Sequence, residues 1–314
     1  MSFQIRAATS ADAPGIRRLF EKVFGTALTQ EEWRWKFELG PDGWYGVVGV
    51  VDGEIVGNYS GWGMQFLLDG SPRLLYSVGD VATNPGVRGL GGRRSVYRAM
   101  TEAFYEAVER AGVPFCFGFP NSRALRVSER IVGSRTLFPI RLVEVPVDAF
   151  PPPPPDAGTG DSVDESFDSL WEAARRGLSH AAVRDRARVN WRFHARPNRY
   201  YPMVWRKQGG AMTAWAALSV TGQSATVVDF LSGEPDGRDF PALLAVAAEE
   251  ARRLGARHLV FWSSPGGPGR AAIEGLSGQR RDADFPMIVR VFDDGAVRRF
   301  AENLQLVPSL YDLT

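Results

Sequence analysis

The chain has 314 residues, 44% of them apolar, so it can bury an ample core and is too long for one compact α/β domain of ordinary size. With 37 basic and 36 acidic side chains its formal charge is +1, which gives no electrostatic footprint for nucleic acid or an anionic membrane and leaves a small molecule or a peptide as the expected partner. The single cysteine, Cys116, excludes an internal disulfide, and no apolar run approaches the ~20 residues of a spanning helix.

The N-terminal stretch from Ile5 to Gly25 reads as a short strand and a helix. Ser10 or Asp12 is the expected N-cap, Ile16, Leu19, Phe20, Val23 and Phe24 share one face, and Gly25 is the stop. This segment lacks the basic and apolar regions of a secretory leader, so cytoplasmic residence is the default expectation. Val47 to Val51 and Glu54 to Gly61 read as two strands joined by an Asp52-Gly53 hairpin turn. The aromatic series Trp33, Trp35, Phe37, Trp44, Tyr59 and Trp62 fits either an acceptor pocket or core packing.

The most informative stretch runs from Val78 to Met100, where a β-branched run breaks at Asn84-Pro85, passes Arg88-Gly89-Leu90-Gly91-Gly92, and becomes helical. A glycine-rich turn lets consecutive backbone N–H groups converge on an anion at a helix N-terminus, and Arg88 adds a full charge. The pattern is neither a P-loop nor a dinucleotide fingerprint. It resembles the acyl-CoA-binding motif of the GNAT acyltransferase superfamily, in which Arg or Gln is followed by two residues, Gly, one residue, and Gly or Ala. Arg88 and Gly91 match, while the third position falls on Arg93. Phe115 to Phe119 and Asn121 resemble the fifth strand of that family and the cofactor-side Asn that follows it. Many relatives place a thiolate-protonating Tyr seven residues later, where this chain has Ser128.

The resemblance covers Phe3 to about Val145 and implies an α/β (α+β) fold with a mixed, mostly antiparallel sheet flanked by helices. It also implies that backbone groups of Val81, Ala82 and Thr83 pair with pantetheine, that residues 88–93 cradle the pyrophosphate, and that Asn121 lies on the cofactor side. Arg93 and Arg94 are either further phosphate ligands or helix surface charges.

Pro151 to Pro155 and the polar stretch to Asp161 read as a linker between domains at 1–150 and 162–314. Beyond it the first half recurs: Trp35, Phe37, Pro41 and Gly53 meet Trp191, Phe193, Pro197 and Gly209 at a constant spacing of 156 residues (Trp35 to Trp191), and Lys36 becomes Arg192. Asp229 answers Asp80, but no Arg-x-x-Gly follows it; Glu234, Asp236 and Asp239 stand there instead. Two tandem GNAT folds are therefore expected, the second degenerate and unable to bind acyl-CoA.

Acyl transfer needs a deprotonated amine, a polarised thioester carbonyl and a proton for the departing thiolate. Asp80 is the leading candidate for base or amine anchor, because an acid is unfavourable within a strand; the alternative is a structural acid that caps the turn or pairs with Arg88. Ser77 is a weaker relay candidate on the same strand. His180, His194 and His258 show no metal-ligand spacing, so no metal is expected. The expected activity is acyl-CoA-dependent, with acetyl-CoA as donor, onto a primary amine of a small molecule, amino sugar or peptide, by a monomer or homodimer. The rivals are a FemABX-like aminoacyltransferase and a non-catalytic acyl-CoA-binding or interaction module.

Overall fold

Hairpin turns, helix caps and a few buried charge pairs set the elements of this protein, whose computed structural model describes residues 2–87 and 95–311. The chain forms two compact units, one of Met1–Gln65, Leu74–Phe138 and Phe285–Val297, the other of Phe66–Arg73, Pro139–Asp284 and Arg298–Thr314. The division does not fall at the proline run: that segment lies inside the second unit, and Ala157–Gly160 there is a strand paired with Met203–Arg206.

The first unit begins with β1 (Gln4–Ala7) and α1 (Ala13–Phe24). Asp12 stands at the N-cap position of α1 but makes no capping bond to it. Its carboxylate instead receives both Arg6 guanidinium nitrogens at 2.7 and 2.6 Å and the Thr9 amide at 2.9 Å, which holds its carboxyl down at about 2. Gly25 closes the helix in the left-handed region at φ 73°, its N–H reaching the Glu21 carbonyl. Ile16, Leu19 and Phe20 are buried as the periodicity predicts, whereas Phe24 is 55% exposed and meets only the edge of the Phe20 ring among the ring contacts of the described residues.

After α2 (Gln30–Trp33), capped by the Thr29 hydroxyl, the backbone widens into a π turn at Arg34–Glu38. Then come β2 (Trp44–Val51), β3 (Glu54–Leu68) and β4 (Ser71–Thr83), with Asp52-Gly53 as the hairpin turn, followed by α3 (Val96–Arg110), β5 (Phe115–Gly118) and α4 (Ser122–Val127). Helix α3 packs close because glycines pave the strands beneath it. A methyl group placed on Gly49 would come within 2.5 Å of Val96 Cγ1, and one on Gly57 within 2.6 Å of Met100 Cε.

The second unit contains β6 (Arg135–Pro146, from Pro139 on), β7 (Ala157–Gly160), α5 (Ser166–Ala174), β8 (Ala181–Ala182) and α6 (Arg186–Val189), which widens into a π turn at Asn190–His194. It continues with β9 (Met203–Gln208), β10 (Ala211–Thr221), β11 (Ser224–Ser232), α7 (Phe240–Arg253), β12 (His258–Trp262) and α8 (Arg270–Glu274). The chain ends with β13 (Gln279–Val291), α9 (Asp294–Asn303) and a buried segment over residues 304–310. Strand order in the first unit is β1-β2-β3-β4-β5-β13, the last strand being supplied by residues 288–291 against 115–118. In the second unit the order is β6-β12-β11-β10-β9-β7. Most neighbours are antiparallel; β4–β5 and β11–β12 are parallel. The protein is thus mixed α/β, with mostly antiparallel sheets flanked by helices.

A buried ion pair anchors the end of the chain within the second unit. Arg184 Nε lies 2.7 Å from Asp229, and its Nη1 donates to Gln305 at 2.9 Å. Asp229 also accepts from the Ser309 hydroxyl at 2.8 Å, while Arg192 donates to the carbonyls of Ser309 and Tyr311. Ser264, in the loop after β12, donates to the Leu304 carbonyl and accepts from the Leu306 amide. Ser264 therefore ties the loop after β12 to the last turn of chain.

Candidate active site

The site is built around a kink in β4. Asp80 has φ 52°, a left-handed conformation in the middle of a strand, which costs about 1 kcal/mol or more and persists only where neighbours fix it. They do so from β3: Asn58 Nδ2 donates to the Asp80 carbonyl at 2.8 Å and to Ser60 Oγ at 3.0 Å, and Ser60 Oγ reaches the Gly79 carbonyl at 3.4 Å. Asn58 and Ser60 are both buried. The kink turns the Asp80 side chain toward the π turn after α2, where Lys36 Nζ lies 2.5 Å from Oδ2. Lys36 is 6% exposed and Asp80 23%, so the ammonium is enclosed and the carboxylate keeps a path to solvent. The ammonium also sits 4.8 Å from the Trp62 ring centre and 5.3 Å from that of Phe37, inside the range of a cation–π contact.

Just before the kink, the ladder between β4 and β5 ends. Their parallel ladder runs over Tyr76–Cys116 and Ser77–Phe117, and β4 continues through Val81, Ala82 and Thr83 to Asn84, whose amide bonds the Val56 carbonyl on β3. Ala82 is buried, Val81 and Thr83 are half-buried, and Thr83 Oγ1 is buried without a hydrogen-bond partner. Ser77 sits at the closed end of the ladder, 4% exposed, three residues before Asp80. The expected phosphate-loop residues Arg88, Gly89, Leu90, Gly91, Gly92, Arg93 and Arg94 lie outside the described residues.

A profile for the acetyltransferase (GNAT) domain matches residues 4–141, which carry this kinked strand and its parallel neighbour. Residues 4–141 are a GNAT domain. Solved structures agree on the fold across nearly the whole chain. A conserved protein of unknown function from Enterococcus faecalis V583, titled a probable N-acyltransferase, aligns at 14% identity over 95% of this chain and 74% of its own, with a TM-score of 0.73. A GCN5-related N-acetyltransferase from Kribbella flavida aligns at 15% identity over 94% and 72%, with a TM-score of 0.68. Saccharomyces cerevisiae N-myristoyltransferase with bound myristoyl-CoA aligns at 10% identity over 98% and 90%, with a TM-score of 0.61. A search of curated protein sequences finds no match.

Two polar side chains of this GNAT domain have local hydrogen-bond partners. Asn121 caps α4, its Oδ1 accepting from the Ala124 amide at 2.9 Å, so that oxygen is already engaged. Ser128, at the position where many relatives place Tyr, is buried and donates to Ser134 Oγ at 2.9 Å, which ties the π turn Ser128–Val132 to the residue before β6. The aromatic series belongs to the core rather than to an open pocket: Trp33, Trp35, Phe37, Tyr59 and Trp62 are buried, and Trp33, Phe37 and the half-buried Trp44 stack with ring centres 4.4 to 5.7 Å apart. Cys116 is buried in β5, and burial pushes its thiol well above its ordinary range, which disfavours a thiolate nucleophile. Among the described residues no group of three His, Cys, Asp or Glu could hold a metal, and no helix is long and apolar enough to cross a membrane.

Sequence reading singles out Asp80 as a candidate but not its pairing with Lys36. The available signal was the retained charge at Lys36 and Arg192, the one ionic position in a run of large aromatics. Two surface grooves of about 860 and 340 Å³ lie elsewhere, lined by second-unit residues such as Glu144 and His258 in the first and Asp236 and Asn303 in the second. The Asp80 kink lies in the residues matched by the GNAT profile, away from both grooves.

Proposed function

We propose that the protein is an acyl-CoA-dependent N-acyltransferase that moves an acyl group, acetyl in the first instance, onto a primary amine of a small molecule, amino sugar or peptide. The observation that carries this reading is the end of the β4–β5 ladder beside a partly exposed carboxylate in a GNAT domain. The residues suit an extended thioester ligand, because β4 runs on beyond the ladder and Thr83 Oγ1 is a buried acceptor and donor awaiting a partner. In this reading the backbone of Val81 to Thr83 aligns the pantetheine arm, residues 88–93 with Arg88 take the pyrophosphate, and Asn121 borders the cofactor. Acyl-CoA supplies the activated acyl group.

Asp80 accepts an N–H of the incoming ammonium or amine and takes the proton released as the nitrogen bonds the acyl carbon. The C–S bond breaks as the amide forms, and the thiolate regains a proton, so acyl-CoA and amine yield amide and free thiol with no change of oxidation state. Ser77, closed in behind the kink, is at most a relay. Because an alkylamine of pKa ~10.4 is almost wholly protonated at neutral pH, a carboxylate at this position serves first as an anchor and then as a base. Thiol release by the wild-type protein, measured with acetyl-CoA against a panel of primary amines, tests the reading. Tight CoA binding with no turnover on any amine would favour the non-catalytic binding module.

We further propose that the second unit is a duplicate that no longer binds acyl-CoA. Supporting this, both units run helix, capped helix with π turn, three antiparallel strands, helix, strand and helix, and the caps Thr29 and Asp185 stand at the same 156-residue spacing. The loop after β11 carries Glu234, Asp236 and Asp239, engaged by Arg238 and Arg206, in place of a phosphate cradle. Calorimetric titration should therefore give one CoA per chain, and two would overturn the division. In the same titration Arg88→Ala should weaken CoA binding by about 1.5–3 kcal/mol, the size of a lost charge-assisted hydrogen bond, with the fold unchanged. Wild-type affinity in that variant would remove Arg88 from the phosphate site.

A further inference from the structure

We propose that residues 304–310 are a built-in ligand of the second unit, a strap that fills the slot an acyl chain would take there and leaves it without unfolding the sheet. This rests on the acyltransferase and duplication readings above. The last residues of most chains are loose unless something ties them down. Here every residue from Leu304 to Leu310 is buried, with Leu304, Val307 and Leu310 at 0% exposure.

The slot lies between β11 and the loop after β12. The parallel ladder of these strands runs from Ser224 with His258 to Thr226 with Val260 and ends there, although β11 follows β10 as far as Ser232 and β12 follows β6 as far as Trp262. The segment bridges this gap and is held piecewise. On the β12 side, Ser264 Oγ accepts from the Leu306 amide at 2.7 Å and donates to the Leu304 carbonyl at 2.8 Å, which the Gly266 amide also reaches at 3.0 Å. On the β11 side, the Ser309 hydroxyl donates to Asp229 at 2.8 Å. The Gln305 amide donates to the His180 carbonyl at 2.8 Å. Two glycines make room for so close an approach: a methyl group on Gly266 would come within 2.5 Å of the Asn303 carbonyl oxygen, and one on Gly267 within 2.8 Å of Gln305 Cβ.

The course of the segment repeats the course read for acyl-CoA in the first unit. It starts from Asn303, which lines the groove of about 340 Å³ with Gly237 from the loop after β11 and Gly269 from the loop after β12. In the order of elements, those loops answer the phosphate loop and the Asn121 loop of the first unit. The segment ends with Ser309 on Asp229, the acid that answers Asp80. The lining also sets the class of ligand: an extended, mostly apolar chain with amide and hydroxyl groups, as this segment is, and without phosphate, because Asp236 stands at the mouth.

Hydrogen exchange of the wild type is the first test. The amides of Gln305 and Leu306 should exchange through a local opening at least about tenfold faster than those of the β10–β11 ladder. Leu306→Asp is the second, because a carboxylate is unfavourable in a buried apolar slot. In this full-length variant the ladder should keep its protection while the amides of residues 305 and 306 lose theirs by about 100-fold or more. A capped synthetic peptide of residues 304–310 should then bind at one per chain in a calorimetric titration. The wild type should take none, since its own segment competes at an effective concentration on the order of millimolar. Equal protection of segment and ladder in the wild type, joint loss of both in the variant, or a released segment with no peptide binding would overturn the proposal and leave the count of one CoA per chain untouched. Two CoA per chain in the wild type would instead remove the duplication reading on which the proposal stands.

Discussion

Asp80→Asn should lower kcat for amine acylation at neutral pH by about 100-fold or more. Asparagine keeps the shape and tolerates the left-handed backbone that Asp80 adopts at φ 52°, so the kink survives the substitution. What it removes is the proton acceptor and the anion that draws a cationic amine. Raising the pH deprotonates the amine in solution, and the variant should recover part of the rate as the pH approaches the amine's own pKa. The loss of the Lys36 partner also lowers stability, and the pH dependence separates the two effects. A rate deficit that is constant with pH, accompanied by a lower Tm, would assign Asp80 to architecture.

Arg184→Met should be the most destabilising single change in the second unit, at about 3–5 kcal/mol, because it strands a buried acid. Arg184 is 2% exposed and Asp229 4%, so neither charge has water to fall back on. Burial already raises the Asp229 carboxyl above its ordinary value, against the lowering influence of Arg184 and the Ser309 hydroxyl. For an acid raised on folding, the folded state binds the extra proton, so stability falls as pH rises from the unfolded value through the folded one. Removing Arg184 raises the folded value further, and the deficit should be larger at pH 8 than at pH 5. Urea unfolding at the two pH values checks this, and an equal deficit at both would mean that Asp229 does not carry its charge in the fold. Replacing both partners with apolar residues should recover much of the loss.

The parts of the fold that rest on local pattern could be read from the chain. The Asp52-Gly53 turn, the Gly25 stop and the buried strand around Cys116 each depend on residues within a few positions of one another. Asp12 shows where such reading stops: it has the right position and chemistry for a cap of α1, but Arg6 six residues earlier competes for the same oxygens with a full charge and wins. The catalytic candidate was legible because an acid in a strand is anomalous. Its partner was not, because Lys36 and Asp80 are 44 residues apart (36 to 80) and only the packing of a π turn against β4 brings them together. The unit boundary was hidden for a similar reason. A proline run looks like a linker, yet Gly158 and Gly160 beside it leave room for Trp205 and let the segment join a sheet.

The pairing of Ile288 to Val291 with Phe115 to Gly118 has a consequence for how the protein is made. As the chain leaves the ribosome, β5 emerges with one ladder edge bare, and its partner strand has still to be translated. At ordinary rates of synthesis, about 5–20 residues per second, that edge waits roughly ten to thirty seconds. During this interval it is a template for wrong pairing, by a neighbouring nascent chain or by another strand of its own. The unit that carries the GNAT motif is therefore begun first but completed only when residues 285–297 have been made, and slowing translation between Gly118 and Ile288 would lengthen the time it needs the protection of chaperones.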